Sequence, residues 1–131
     1  MKIDHGKFDK NGNLKNGHYQ DLFKNGTVAC EGNFINGERT GEWKYNLLNG
    51  QIKAIGNYTN GKMTGEWTWY RENGKLWQTG SFDNEIKTGL WTRYYENGKL
   101  QDVTEFKNGK KTGTQKIYDN QGNLIKVKEF K

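Results

Sequence analysis

The chain has 131 residues and a net charge of +6, with 31% hydrophobic and 14% aromatic residues and a mean hydropathy of −1.13. No stretch approaches the 18 apolar residues of a membrane-spanning helix. The low apolar content argues against a large two-layer core, whereas the aromatic content argues against disorder. The positive charge favours acidic partners, but acidic residues stand between the lysines, so a solvated lysine-rich surface that protects sheet edges is the simpler interpretation.

The N-terminal residues already carry the pattern of a repeat that runs through the chain. Residues 8–14 match residues 118–124, because both segments have an aromatic residue, then Asp, then a Gly-Asn-Leu ending. We therefore interpret residues 1–16 as a truncated first unit, residues 17–112 as four full units, and residues 113–131 as a C-terminal capping unit. Together they would form one repeat array and one domain.

Each full unit is 24 residues long and is marked by glycines in two registers. The first register contains Gly17, Gly41, Gly65, Gly89 and Gly113, and the second contains Gly26, Gly50, Gly74, Gly98 and Gly122. Asn precedes four glycines of the second register, and a further Asn-Gly pair at 36–37, 60–61 and 108–109 becomes Asn84-Glu85 in one unit. Asn-Gly between short segments predicts a β-hairpin, because the turn needs positive φ.

The segments between these turns predict short strands in chain order. One family covers 42–47, 66–71 and 90–95, and the other covers 52–58, 76–82 and 100–106. Consecutive hairpins predict an all-β fold, an elongated antiparallel meander of 24-residue hairpin repeats in a single twisted layer. The absence of proline fits a continuous sheet in which every backbone N–H is needed.

Large aromatic residues recur with the same period and are expected to supply most of the burial. Trp43, Trp67 and Trp91 follow the first glycine register, and we expect them to pack in ladders along the sheet. Gly56 and Gly80 are expected to leave bare backbone on which a neighbouring ring can lie. Trp67 and Tyr70 are three residues apart, so either both faces carry aromatic residues or a bulge intervenes.

These motifs together resemble the bacterial variant of the MORN repeat, from about residue 8 to residue 131. The resemblance is carried by Gly-Glu-Trp at 41–43 and 65–67, Asn-Gly-Lys-Leu at 73–76 and 97–100, and the segments 91–98 and 106–110. It implies an elongated antiparallel repeat sheet without catalytic residues in the repeats. Bacterial members are often described as antitoxin-like, and other MORN arrays bind proteins or lipids. Choline-binding or cell-wall-binding repeats are an alternative, although they are shorter and usually begin Gly-Trp.

No combination of residues indicates catalysis, so we predict that the protein is not an enzyme and needs no cofactor or metal. His5 and His18 lack a third ligand, and no glycine-rich loop leads into a helix. Cys30 is the one cysteine of the sequence, so no internal disulfide can form, which fits a reducing compartment. Residues 1–6 carry no apolar leader segment. The expected location is cytoplasmic.

Residues that break the repeat are the candidates for partner binding. They are Trp69, Trp77, Arg71, Arg93 and Tyr95, which belong to the types enriched in binding hot spots. On ideal alternation, Trp69, Arg71, Arg93 and Tyr95 share one face with Trp67 and Trp91. The alternative is that Trp69 and Trp77 merely extend the aromatic ladder.

The leading functional hypothesis is therefore a protein-binding module, an antitoxin, immunity or inhibitor protein that neutralises an effector or toxin by direct binding. Single-stranded nucleic acid is the second hypothesis, because basic and aromatic groups on one sheet could stack bases. Adhesion to anionic lipid is the third, and pairing of exposed edge strands into a homodimer is also possible.

Overall fold

The computed structural model describes residues 6–131, which form one sheet of ten strands. The strands are β1 (Gly17–Leu22), β2 (Val28–Ile35), β3 (Glu38–Asn46), β4 (Ile52–Thr59), β5 (Lys62–Tyr70), β6 (Leu76–Asp83), β7 (Ile86–Tyr94), β8 (Leu100–Lys107), β9 (Lys110–Tyr118) and β10 (Leu124–Phe130). They lie in the sheet in chain order, and each pairs antiparallel with the next. The predicted all-β meander of hairpin repeats is confirmed.

One family of strands begins earlier than the sequence predicts. Strand β3 begins at Glu38, four residues before the predicted start, and pairs with β2 on both sides of Gly41. The register jumps there, because Glu31 pairs with Lys44 but Asn33 pairs with Thr40. Gly41 has φ of 66°. The strand therefore continues through Gly41, which is the site of a bulge and not the boundary of the strand.

Two kinds of turn alternate along the sheet and define its two sides. On the tight-turn side, the two central residues both have positive φ, as at Asn36 (49°) and Gly37 (81°). This is the conformation of a type I′ turn, which suits the twist of a two-residue hairpin. Asn84 and Glu85 keep it, with φ of 53° and 75°, although no glycine is present.

On the long-turn side, only the glycine has positive φ. Gly74 N–H donates to the Arg71 carbonyl oxygen at 2.8 Å, Arg71 N–H donates to the Lys75 carbonyl oxygen at 2.8 Å, and Gly74 has φ of 85°. The side chain of Asn73 closes this turn by accepting a hydrogen bond from Lys75 N–H at 3.0 Å. The long turns that join consecutive strands cover 23–27, 47–51, 71–75, 95–99 and 119–123, and the same turn occurs before β1 at 9–13.

The core is a single row of rings on one face of the sheet, which we call the aromatic ladder. Trp43, Trp67 and Trp91 are only 2%, 3% and 5% exposed. Each indole N–H donates to a backbone carbonyl oxygen at 3.1 Å, from Asn33, Asn57 and Ser81 respectively. The ladder alternates tryptophan with edge-on rings: Tyr19, Phe34, Trp43, Tyr58, Trp67, Phe82, Trp91 and Phe106.

The expectation that Gly56 and Gly80 make room for rings is confirmed. A Cβ atom at Gly56 would overlap the Trp67 indole, and one at Gly80 would overlap that of Trp91. Of the two alternatives predicted for Trp67 and Tyr70, a bulge is present, and its extra residue lies on the partner strand β6. Trp69 pairs with Gln78 and Tyr70 pairs with Leu76, so Trp77 is the extra residue between them.

The two ends of the array form the same turn, as their sequences suggest. Asp9 Oδ1 accepts hydrogen bonds from the N–H groups of Asn11 and Asn13 at 2.9 and 3.0 Å. Asp119 Oδ1 accepts the equivalent pair from Gln121 and Asn123, both at 2.9 Å. These hydrogen bonds, with the one from Asn123 N–H first, lower the pKa of Asp119.

Candidate interaction site

Four of the five candidate residues fall into two groups, and the fifth, Trp77, lies on β6. Trp69 and Arg93 pair with Gln78 and lie on the face of the aromatic ladder. Arg71 and Tyr95 follow the last residues of β5 and β7 and belong to the long turns. Ideal strand alternation therefore does not extend from Trp69 to Arg71 or from Arg93 to Tyr95. The physical reason is that β5 and β7 end one residue earlier, so Arg71 and Tyr95 take the backbone conformation of a turn.

Trp69 forms a second row above the ladder. Its ring centroid lies 6.1 Å from that of Trp67 and 5.5 Å from that of Trp91. Tyr45 occupies the same position one repeat earlier, 6.3 Å from both Trp43 and Trp67. Trp69 is half-buried. These contacts give Trp69 a packing role on the ladder.

Tyr45 shows how this second row is tied to the ladder. Its hydroxyl is 2.7 Å from that of Tyr58 on the neighbouring strand. Burial, with the hydrogen bond to Tyr58, raises the pKa of Tyr45. The Tyr45 hydroxyl therefore links the second row to Tyr58 of the ladder.

Arg93 holds a buried acid that the sequence patterns did not single out. Its Nε donates to Asp102 Oδ2 at 2.9 Å, and Asp102 is only 4% exposed. This hydrogen bond raises the pKa of Arg93. The same cross-strand pair is Tyr45–Ala54 and Trp69–Gln78 in the two preceding repeats. Comparing cross-strand pairs, instead of single positions, would have found Asp102.

Arg71 and Trp77 lie together at a groove on the long-turn side. The groove has a volume of about 610 Å³, and Tyr70 and Lys53 also line it. Trp77 is 40% exposed, unlike the ladder tryptophans. The remaining lining residues are Leu47, Glu72, Asn73 and Glu96. The charges of two basic and two acidic side chains thus cancel around the aromatic ring of Trp77.

The groove continues into an apolar depression of about 430 Å³ that Leu47 and Leu48 line with Asn49 and Glu72. Leu48 is exposed. Leucines in a turn bury nothing on the sheet, so this side of the molecule carries uncovered apolar surface next to Trp77.

Arg71 and Tyr95 also have structural roles. Arg71 Nη2 donates to the Tyr94 carbonyl oxygen at 2.8 Å, and the Tyr95 hydroxyl donates to the equivalent carbonyl of Tyr118 at 2.7 Å. Each side chain thereby ties its turn to the following repeat. Within residues 6–131, the Nε atom of Arg71 is buried and makes no hydrogen bond.

The histidine and cysteine positions carry no sign of chemistry in the described residues. His5 lies outside them, and His18 Nε2 is 3.3 Å from Glu31 Oε2 at the surface. The hydrogen bond from Gln20, followed by the effect of His18, lowers the pKa of Glu31. Burial and the neighbouring Asp21 raise the pKa of the Cys30 thiol, which opposes thiolate formation. No group of three His, Cys, Asp or Glu side chains able to hold a metal occurs within residues 6–131.

The chain belongs to the MORN repeat variant family. The family model matches three consecutive segments, 39–60, 63–84 and 87–108, which together make up just over half of the chain. Each match spans two strands and the long turn between them. MORN repeats are protein- or membrane-binding modules, and the repeat family is non-enzymatic.

The other comparisons add little beyond the family. No curated protein matches the chain. One similar solved structure is the "Crystal structure of GtfA/B complex bound to UDP and GlcNAc", with 15% sequence identity and a TM-score of 0.40. The similarity covers 69% of this chain and 23% of that chain, and it is too weak to carry a functional argument. Across residues 6–131, no helix is long and apolar enough to cross a membrane.

Proposed function

We propose that this protein is a non-catalytic protein-binding module of the antitoxin, immunity or inhibitor type, which neutralises a partner protein by covering its functional surface. The observation that carries the proposal is the exposure of Trp77. Its equivalents are Ala29, Lys53, Gln101 and Ile125, so the repeat does not require tryptophan there. Because Trp77 is partly exposed and lies on a bulge, it contributes little to the packing of the ladder.

The surroundings of Trp77 support a protein partner. Tryptophan, tyrosine and arginine are the residues most enriched in binding hot spots, and Tyr70 and Arg71 adjoin Trp77 in one groove. The uncovered Leu47 and Leu48 extend the apolar area. Polar groups around an apolar centre are typical of a protein interface, in which the rim excludes water from the anchor.

The geometry gives less support to binding of single-stranded nucleic acid. Trp43, Trp67 and Trp91 are buried edge to face within the ladder, so their faces are not free to stack bases. The groove around Trp77 has no net positive charge, because Glu72 and Glu96 offset Lys53 and Arg71. A phosphate backbone would therefore gain little there.

Capture of the partner tests the proposal. The tagged chain would be used to recover bound protein from extracts of its native host, with identification by mass spectrometry. Trp77→Gln introduces the residue of the next repeat, Gln101, and should weaken binding of the recovered partner by roughly 30-fold or more, as for a hot-spot residue. Its thermal unfolding should stay close to that of the wild type.

The matched control is Gln101→Ala at the equivalent position of the next repeat, which should leave partner affinity unchanged. Recovery of the chain alone at low salt, or equal affinity for Trp77→Gln and the wild type, would reject the proposal. Trp69→Tyr copies Tyr45 of the preceding repeat and so keeps a ring packed on the ladder. A loss of partner affinity in this variant would assign recognition, and not only packing, to Trp69. A bacterial origin and a cytoplasmic location stay predictions, and so does the division into units 1–16, 17–112 and 113–131.

A further inference from the structure

The aromatic ladder changes its chemistry between β7 and β9. Gln115 stands where earlier repeats have Trp43, Trp67 and Trp91, and Thr104 stands where they have glycine. Gln115 Nε2 donates to Thr104 Oγ1 at 2.8 Å, and both residues are buried. The apolar ring of the earlier units is thus replaced by a polar pair.

A cavity of about 220 Å³ opens at this point on the ladder face. Thr104, Gln115 and Asp102 are its buried polar lining, and the rings of Trp91 and Phe106 also line it. It is smaller than the sites that hold drug-sized molecules, so it suits a single side chain or a small ion.

The charged side chains around the cavity are Lys87, Lys111, Arg93 and Asp102, so its lining carries a net positive charge. Arg93 is engaged with Asp102, whereas the ammonium groups of Lys87 and Lys111 lie over rings, that of Lys111 5.7 Å from the Phe130 centroid, and keep N–H groups to donate to a ligand. Lys87 Nζ lies 4.6 Å from the Trp91 ring centroid and 5.0 Å from that of Phe106. One positive charge is therefore held over the rings that line the cavity.

We infer that this cavity binds the carboxylate of a glutamate or aspartate side chain presented by an acidic segment of a partner protein. The inference rests on the proposed protein-binding function. The methylene groups of the acid would pack on Trp91 and Phe106, while the carboxylate accepts hydrogen bonds from Lys87 and Lys111. A carboxylate is chosen over a phosphate because it is the anion that the unmodified side chains of a partner protein present, and inorganic phosphate is the competing ligand in the test below.

The test uses a small probe and needs no partner. N-acetyl-Gly-Glu-Gly-amide would be titrated into the isotopically labelled full chain while NMR follows the Gln115 side-chain amide and the Trp91 indole N–H. We expect saturable shifts of both signals at low salt. The same peptide with Gln in place of Glu should cause none. Inorganic phosphate forms a third arm, and tighter saturation by phosphate than by the Glu peptide would overturn the assignment to a carboxylate.

Two lysine substitutions locate the binding. Lys87→Met copies Met63 of the preceding repeat and is therefore compatible with the fold. Combined with Lys111→Met, it should weaken binding of the Glu peptide roughly tenfold. Lys107→Met removes a charge from the same strand pair outside the cavity and should leave affinity unchanged.

Absence of saturable shifts in the wild-type chain would reject the inference. This outcome does not depend on whether the variants fold. Equal loss of affinity in Lys107→Met would reject it too, because binding would then follow net charge. Neither result touches the proposed function, which is decided by capture of a partner through Trp77.

Discussion

At the scale of single residues, the fourth repeat and the C-terminal unit show that one position does not change alone. Where the buried ring is lost at Gln115, the facing glycine is also lost, and Thr104 fills the space and accepts a hydrogen bond. Arg93 similarly comes with Asp102. A buried polar atom costs free energy unless it finds a partner, so each polar substitution requires a second one across the strands.

The glycines under the ladder tryptophans should tolerate no side chain. Gly80→Ala would drive a Cβ atom into the Trp91 indole, so we expect the free energy of unfolding to fall by about 1–3 kcal/mol or more. Urea unfolding followed by tryptophan fluorescence would measure it. Thr104→Ala is the control, since its side chain faces Gln115 and should cost only about 1 kcal/mol. Equal stability of Gly80→Ala and wild type would contradict the packing.

The Arg93–Asp102 pair should be replaceable only as a pair. Arg93→Trp leaves Asp102 buried without its cation, and we expect a loss of about 2 kcal/mol, less than for a fully buried pair because the Arg93 side chain is 46% exposed. Adding Asp102→Gln recreates the Trp69–Gln78 pair of the preceding repeat and should restore most of the stability.

A double-mutant cycle of unfolding free energies measures this coupling between positions 93 and 102. Additive effects of the two substitutions would show that the ion pair makes no specific contribution.

At the scale of elements, the same Asn-Gly dipeptide forms two different turns. At 36–37 both residues have positive φ, whereas at 73–74 only the glycine does, and Asn73 instead uses its side chain to close the turn. The number of residues between the paired strands decides which conformation is needed. A dipeptide pattern therefore predicts the presence of a hairpin but not its turn type.

Glu85 should be a point of backbone strain at this scale. It has φ of 75° in a place where three other units have glycine. Glu85→Gly should raise the free energy of unfolding by roughly 1 kcal/mol, because glycine adopts this conformation without steric cost. Differential scanning calorimetry would detect it as a higher Tm.

Glu85→Ala provides the comparison, since alanine removes the same carboxylate but keeps the Cβ atom. If alanine stabilised the chain as much as glycine, charge and not backbone conformation would be the cause.

At the scale of the whole molecule, the one-layer sheet of residues 6–131 has two end strands, each of which pairs with a neighbouring strand along one edge. Strand β10 is one of them, and it exposes Ile125 (62%) and Val127 (50%), with Lys126 between them and Lys128 after them. Lysines on an edge strand oppose pairing with another chain. Each of the strands β2 to β9 is paired along both edges, so self-association through strand edges would begin at the ends.

We predict that an edge-paired homodimer is weak and that the fraction of dimer increases with the salt concentration. Two copies of β10 bring lysines together, and screening reduces that repulsion. Sedimentation velocity at low and high salt would measure the dimer fraction. Ile125→Lys with Val127→Lys should keep the chain monomeric at both. Leu90→Lys changes an equally exposed residue on the internal strand β7 and should have no effect. A dimer that survives the β10 changes would have to form elsewhere.

The candidate site was only partly predictable, and its residues show why. Trp69 and Trp77 stand out because they break the repeat, but the sequence could not tell that one packs on Trp67 while the other lies exposed beside a groove. Their separation depends on a bulge that makes Trp77 the extra residue of its strand. Such a bulge arises from pairing between strands and leaves no local signature at Trp77.

The sequence by itself determined the period, the turns and the ladder. These features rest on local conformational rules, in which glycine and asparagine accept positive φ, and on repetition, which shows the same ring over the same bare backbone several times. Only the tertiary structure decided that β3, β5 and β7 continue through their glycines, that Arg71 and Tyr95 tie turns together, and that Asp102 pairs with Arg93. These outcomes depend on cross-strand register, which joins residues far apart in the chain.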